Sequence, residues 1–413
     1  MEARCPPHEP RPFGPPLTPA PAAMRVLICP TAFKGSLGAA RAARAMEEGV
    51  RRALPGAACT RLPLSDGGPG LIESLESAGA GRIVEAGDVS GPAPAGDATT
   101  TGDRSRAEVR GRVLLLDGGR TAVVESADAC GLALLPPEAR DPLTTHTRGV
   151  GDLLLAAMDR EPARLVVGLG GSATCDGGSG AARTVGYRFL DERGGELPDG
   201  GGSLVDLADI RRPAGSSGDG SASRAVPELL ALADVDNPLL GPEGAAATYA
   251  PQKGADPAGV ERLEAGLRRL VEVASRDLEA DPGRVRAAAD RPGAGAAGGL
   301  AFGLEVFLGA RVVGGTDWVL RRVGFGDALE DADLVVSGEG AYDRTTERGK
   351  VVGEVIRRAR EAGVPVRLVC GRIEGELPPG VRGEDGGGRV LDAGGVAAAA
   401  ERVLRREPPT GGD

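Results

Sequence analysis

The chain alternates short apolar runs with Gly-rich polar loops, then with stretches in which apolar residues recur every three or four positions. Met24–Pro30 (MRVLICP) is apolar and ends in a turn, the pattern of a strand buried on both faces. The loop Thr31–Ser36 follows, and Leu37–Ala53 carries Ala, Met and Val at helical spacing with Arg and Glu between them. Thr60–Leu64 predicts a second strand, which runs into Ser65-Asp66-Gly67-Gly68-Pro69-Gly70 and another helix. The same unit returns at Arg164–Gly168 with the loop Gly170–Gly178. It returns again at Asp333–Ser337, with Gly338–Asp343 and a helix over 350–362. Val366–Cys370 and a segment near Val390 predict the closing strands. This order predicts an α/β fold built on a parallel sheet.

Residues 83–125 change character. AEVRGRVLLLD and TAVVESAD alternate between Gly-rich turns, which predicts hairpins of an antiparallel sheet. The expected organisation is therefore two domains. Residues 24–86 and 292–405 form a Rossmann-like parallel-sheet α/β domain, and 87–291 form an inserted second α/β domain with antiparallel hairpins. The Pro-rich residues 1–23 are expected to be a disordered extension, 212–226 a loop, and 406–413 a polar tail.

Composition narrows the function. Aromatics make up 2% of the 413 residues, so the core must come from Val, Leu and Ala. A net charge of −10 argues against nucleic acid as a partner but not against phosphate ligands held by local geometry. The six cysteines form no CxxC pair, and His146 is the one histidine outside the N-terminal tail, so neither a zinc site nor a disulfide framework is expected. No apolar run reaches membrane-spanning length, and a reducing cytoplasm fits the thiols.

The chain has forty-six arginines but only three lysines, Lys34, Lys253 and Lys350. Its one Asn, Asn237, and its one Gln, Gln252, fall with Lys253 in ALADVDNPLLGPEGAAATYAPQKGA. Where Arg serves nearly every positive charge, a surviving lysine marks a place for a compact charge on a phosphate or carboxylate. Chance is the blander reading.

Several loops at predicted strand ends pair glycine with Asp, Lys, Asn or Thr, the arrangement that brings backbone N–H groups to an anion. Asp234 and Asp236 fall on one side of an extended segment. They serve either a metal or substrate hydroxyl, or a capped turn before Pro238. Glu339 and Asp343 bracket a loop that could meet a metal or ribose, or lie in solvent. Gly349-Lys350 lacks the spacing of a P-loop, and Gly293–Gly298 matches GxGxxG without a preceding strand. An anion-binding or close-packing helix start fits that second stretch better than a dinucleotide fingerprint. His146, in TTHT, reads as a polar loop residue.

The motifs CPTAFKGSL, LSDGGPG, GLGGSATCDGG, DVDNPLLGPEGA, PQKGA, GAGAAGGL and SGEGAYDRTTERGK, in this order from about Met24 to Leu404, resemble the bacterial glycerate kinase family. The resemblance implies ATP- and Mg²⁺-dependent phosphorylation of D-glycerate, to 2-phosphoglycerate or 3-phosphoglycerate, in a two-domain α/β protein without a P-loop. Expected partners are glycerate and ATP, with a homodimer left open. On this reading Asp66, Asp176, Lys34 and Lys253 carry the chemistry. Gly67, Gly68, Gly170, Gly171, Ser172, Thr174, Gly177, Gly178, Asn237, Gln252, Gly295, Gly298, Asp343 and Lys350 hold substrate or nucleotide. Asp234, Asp236 and Glu339 hold the metal. The chain departs from the family pattern at Thr31-Ala32, Pro69, Leu71, Cys175, Ala341-Tyr342 and Val351-Val352, changes expected in loops where they would alter substrate choice. A kinase of a related sugar acid, a nucleotide-dependent oxidoreductase and a non-catalytic binding protein are the alternatives.

Overall fold

The computed structural model describes residues 23–33, 35–93, 108–213, 227–278, 282–343, 346 and 350–405. Its strands are β1 (Arg25–Ile28), β2 (Ala58–Arg61), β3 (Gly81–Ser90), β4 (Glu108–Leu116), β5 (Thr121–Glu125), β6 (Arg164–Gly168) and β7 (Arg188–Leu190). Then come β8 (Asp209–Arg211), β9 (Glu228–Leu232), β10 (Arg311–Val313), β11 (Leu334–Tyr342), β12 (Val366–Ile373) and β13 (Val381–Asp385). One sheet, ordered β13-β12-β11-β1-β2, is parallel throughout. The other, ordered β10-β9-β6-β5-β4-β3, is antiparallel across β3, β4 and β5 and parallel from β5 to β10. β7 and β8 form a separate antiparallel pair.

The period-two pattern of each strand decides which layer it feeds. In β1, Val26 and Ile28 pack with the helices Ala39–Ala53 and Ala393–Arg405, while Leu27 faces the other way. In β4, Val113 and Leu115 pack toward the helices Arg148–Met158 and Ala296–Leu308, and Leu114 and Leu116 face away. The two away-facing sets meet in one apolar cluster. Between them lie the helices Leu71–Ser77, Gly315–Arg322, Phe325–Glu330 and Val351–Glu361, contributing Leu71, Val319, Phe325 and Val355. The two sheets thus flank one layer of helices and share a core. Helix ends follow their sequence signals: Pro55-Gly56 lies just past Ala53, and Asp256 accepts from Gly259 N at 2.7 Å to cap Pro257–Asp277.

β3 begins at residue 81 and β10 ends at 313, and both belong to the six-stranded sheet, so the expected breaks at 86/87 and 291/292 do not coincide with the sheets. The closing strand is Val381–Asp385, not the segment near Val390. The Val390 side chain is 74% exposed and has no layer to join. The N-terminal extension up to residue 22, the loop 214–226 and the tail 406–413 lie outside the described residues.

Leu232, fully buried at the end of β9, belongs to the shared cluster. Leu232→Ala should cost about 2–5 kcal/mol. It should also shift a single melting transition followed by circular dichroism. A melt that splits into two steps, one of them unmoved, would show that the sheets do not share a cooperative core.

Candidate active site

Four strand ends converge. β2 leads into Ser65–Gly70, β6 into Gly170–Gly178, β9 into Asp234–Asn237, and β10 into the helix Gly315–Arg322. These are carboxyl edges of parallel strands, where open α/β sheets bind ligands. The first two loops touch. A Cβ on Gly171, whose φ is +62°, would lie 2.6 Å from Pro69 Cγ, and one on Gly170 would lie 3.0 Å from Gly68 Cα. Within Ser65–Gly70 the three glycine amides are already used. Gly67 N donates to Ser65 Oγ at 3.2 Å, Gly68 N to Asp66 Oδ1 at 2.9 Å, and Gly70 N to Glu125 Oε2 at 3.0 Å. Gly67 and Gly68 therefore shape the turn rather than offer free donors. Asp66 stays exposed at its apex, held by one oxygen.

Lys253 lies beneath the second loop. It is 3% exposed, and its Nζ donates to Ser172 Oγ at 2.9 Å and to the Thr174 carbonyl at 2.7 Å. The ammonium also sits 5.9 Å from the centre of the Tyr249 ring, close enough for a cation–π contact. Burial lowers its pKa, opposed by the neighbouring Cys175, Cys130 and Asp176. Asp176, expected as a base or hydroxyl orienter, is fully buried. Its Oδ2 accepts from Thr147 N (2.9 Å), Thr147 Oγ1 (2.8 Å) and Gly180 N (3.0 Å), and its Oδ1 from Gly178 N (3.1 Å). Its lone pairs are committed to holding the loop, so it is a positioning carboxylate. Thr145 adds a second strap, Oγ1 to Ala173 O at 2.8 Å. His146 between these two threonines is a loop residue as expected, and it is buried.

The Gly-rich stretch 293–299 closes the site from behind. Gly298 has φ +71°, and a Cβ there would lie 2.0 Å from the Thr174 carbonyl, the oxygen that receives Lys253. Gly177 N donates to Gly298 O at 3.1 Å, and Gly295 packs against the Pro238 carbonyl. The preceding element is the helix Pro282–Asp290. Gly295 and Gly298 therefore serve close backbone packing, and the dinucleotide reading of GxGxxG lapses.

Other expected residues fall in different places. Asn237 accepts from Tyr249 OH at 2.6 Å and donates to Glu243 O at 2.7 Å, tying the β9 loop to the helix Ala245–Tyr249. Gln252 and Asp236 are exposed near that loop. Asp234, expected at a metal, accepts from Gly315 N (2.6 Å), Thr316 N (2.7 Å) and Thr316 Oγ1, so it caps the helix Gly315–Arg322. Glu339, Asp343 and Lys350 form a second group at the end of β11: Thr346 Oγ1 donates to Glu339 at 2.9 Å, and Lys350 Nζ is 3.9 Å from Asp343. Lys34 lies outside the described residues. Among the described residues no group of three His, Cys, Asp or Glu side chains could hold a metal ion.

The residues missed by sequence reasoning are Thr147, Tyr249 and Glu125. Tyr249, one of three tyrosines and four residues before Lys253, could have been found by rarity. Glu125 carries no local signal. It is buried at the end of β5 and accepts from Gly70 N and, at 2.6 Å, from Ile72 N, which fixes the start of the helix Leu71–Ser77.

A family model described as the glycerate kinase family matches residues 26–382. The chain belongs to the glycerate kinase family. It is 42% identical over 350 residues to a glycerate kinase of Bacillus subtilis (strain 168), covering 85% of each chain. It is 36% identical over 355 residues to the glycerate 2-kinase of Escherichia coli (strain K12), covering 86% of this chain and 87% of that one. A solved structure assigned as glycerate kinase 2 from Salmonella typhimurium LT2 superposes with a TM-score of 0.73 at 34% identity, covering 92% and 97% of the two chains. No helix among the described residues is long and apolar enough to cross a membrane.

Most departures from the family pattern turn out to be interior. Leu71, Tyr342, Val351 and Val352 belong to the core shared by the sheets, and Cys175 to the cluster around the helix Pro257–Asp277. Thr31, Ala32 and Ala341 are half-buried, and Pro69 is exposed on the loop surface, against Gly171.

Lys253→Arg should lower kcat/KM by about a hundredfold, since a wide planar guanidinium cannot meet a hydroxyl and a carbonyl in the space of an ammonium. It should also cost about 1–3 kcal/mol of stability from overpacking. Thermal melts and steady-state rates on the same preparation check both. Near wild-type turnover would make Lys253 a compositional leftover.

Burial raises the Glu125 carboxyl from 4.5 to about 7, with the charges of Asp128 and Glu73 adding to the rise and the Ile72 and Gly70 amides opposing it. A folded-state pKa above the unfolded one gives stability that is full below about pH 4.5 and lost as pH rises through about 7. The melting temperature should therefore fall across that window, and Glu125→Gln should flatten this part of the profile. Parallel profiles for the two proteins would exclude the effect.

Proposed function

We propose that the chain transfers the γ-phosphoryl group of ATP to the 2-hydroxyl of D-glycerate, giving 2-phosphoglycerate and ADP, where the Ser65–Gly70 and Gly170–Gly178 loops meet. The observation that carries this reading is the convergence of these loops on a buried ammonium in a chain of this family. The 36% identity to a protein named glycerate 2-kinase supports the 2-position. In the reaction the glycerate oxygen forms a bond to the γ-phosphorus, the bond from that phosphorus to the β–γ bridging oxygen breaks, and the hydroxyl proton leaves. In this reading Asp66 takes it, which its exposure and its single hydrogen bond from Gly68 N support. Phosphoryl transfer asks mainly for positioning and charge stabilisation, which a rigid, doubly strapped loop supplies.

Mg²⁺ supplies neutralisation of phosphate charge when bound. It keeps waters and phosphate oxygens as ligands and takes only one or two carboxylates from a protein. The exposed Asp236 fits that demand better than Asp234, whose oxygens cap a helix. Glycerate, ATP and Mg²⁺ together should give turnover that excess EDTA abolishes. Phosphorus NMR of the product should place the phosphate on the 2-oxygen. Turnover undiminished by EDTA would remove the metal, a 3-phosphate would correct the position, and preference for another hydroxy acid in a substrate panel would correct the acceptor.

A further inference from the structure

Lys253 and Ser172 stand in a fixed donor order. An ammonium has three hydrogens and no lone pair. At 2.9 Å from Lys253 Nζ, Ser172 Oγ must accept, so its own proton has to point elsewhere. Ser172 is 4% exposed, and its hydroxyl proton has no acceptor among the described residues. A buried donor left without a partner is destabilising, and a ligand acceptor would remove that cost.

The backbone points the same way. Leu132 N donates to Gly171 O and Ala173 N to Cys130 O, both at 2.7 Å, on either side of the antiparallel bridge between Gly131 and Ser172. Ser172 is therefore the non-hydrogen-bonded member of that bridge, and its own N–H points away from the Cys130–Leu132 segment. That N–H too has no acceptor among the described residues. A hydroxyl and an amide of one residue are thus both left to donate, beside the junction with Pro69.

The ammonium itself is already occupied. It meets Ser172 Oγ, the Thr174 carbonyl and the face of Tyr249, and Tyr249 is anchored through its hydroxyl to Asn237. The thiols beside it, Cys130 and Cys175, are pushed by burial to about 12 and about 11 and stay neutral.

We propose that Ser172 holds an oxyanion of the bound ligand through its hydroxyl and its backbone N–H, and that Lys253 is a positioning residue acting on that oxyanion only through Ser172. This rests on placing the active site at the junction of the two loops. The oxyanion is either the carboxylate of glycerate or a phosphate of ATP, and the experiment separates them.

D-glycerate and ATP are titrated separately into the full-length wild-type, Ser172→Ala, Lys253→Met and double-variant proteins by calorimetry, with melting curves as the folding control. Ser172→Ala should weaken one of the two ligands by about tenfold or more and leave the other within about twofold, which names the source of the oxyanion. Lys253→Met should weaken the same ligand, and in the Ser172→Ala background should add less than about twofold. The affinity of that ligand should also fall as pH rises through the lowered pKa of Lys253, because the neutral amine can accept the Ser172 proton and turn it inward. Ser172→Ala should abolish that dependence. Asp176, Cys130, Cys175 and Tyr249 also face the amine, and any dependence arising from them would persist in Ser172→Ala. A folded Ser172→Ala protein that binds both ligands as the wild type does overturns the proposal, and so do additive effects of the two substitutions. If Lys253→Met fails to fold, the pH profile of Ser172→Ala decides alone. A wild-type protein that binds these ligands but does not phosphorylate glycerate would count against the proposed reaction and leave this inference to the titrations.

Discussion

A positive charge buried without partners would cost several kcal/mol, and the junction is built so that Lys253 never meets that condition. Its hydrogens go to a hydroxyl, a carbonyl and an aromatic face. Each partner must be held in turn, because a loosened partner leaves the charge bare. Gly298 keeps the Thr174 carbonyl open by having no Cβ, Thr145 holds Ala173, and Asn237 holds Tyr249. The rigidity of the Gly170–Gly178 loop thus follows from the electrostatics of one side chain. Regular secondary structure has little part in it, since the loop borrows only one bridge from the Cys130–Leu132 segment.

The layered core gives that loop a fixed counterpart. Because the sheets feed one apolar cluster from opposite sides, the carboxyl ends of β2, β6 and β9 are held in register by side-chain packing. Leu232 and Gly67 show how close the register is: a Cβ on Gly67 would come within 2.9 Å of Leu232 Cβ. Glu125 adds the polar half of the same constraint. It starts the helix Leu71–Ser77 from the end of β5, so the Ser65–Gly70 loop is tied to the six-stranded sheet although its strand belongs to the other. Burying a carboxyl there is tolerable because two amides meet it, one at each oxygen.

Much of the fold was legible because local pattern and final environment agree. Arg164–Gly168 is largely apolar and runs into a Gly-rich loop, and it is β6 with those same limits. β10 went unseen because three residues carry no period, and β13 was misplaced because its Gly and charged residues do not look like a strand. The expected domain breaks miss the sheets for a different reason. Which sheet a strand joins depends on pairings such as β10 with β9, some eighty residues apart, and no window sees them. In the site, rarity found Lys253 and Asn237, and glycine pairing found the loop. What rarity could not supply was the partner. Ser172 is 81 residues from Lys253, and Glu125 is 53 from Ile72.

Asp66 and Asp176 show how far residue type alone can carry a role. Both follow a strand, both precede two glycines, and in the sequence they invite the same assignment. Their surroundings separate them. Four donors reach Asp176, two of them the backbone N–H and hydroxyl of Thr147, and no water or substrate can approach a side chain that is fully buried. A carboxylate so surrounded serves to hold its loop. Asp66 shares only one oxygen, with the amide of its own turn, and stands in the open at the junction. The proton transfer we propose for Asp66 asks for that freedom. The Asx turn at Asp66 aims the carboxylate without consuming it, while the same turn at Asp176 is one strand of a knot.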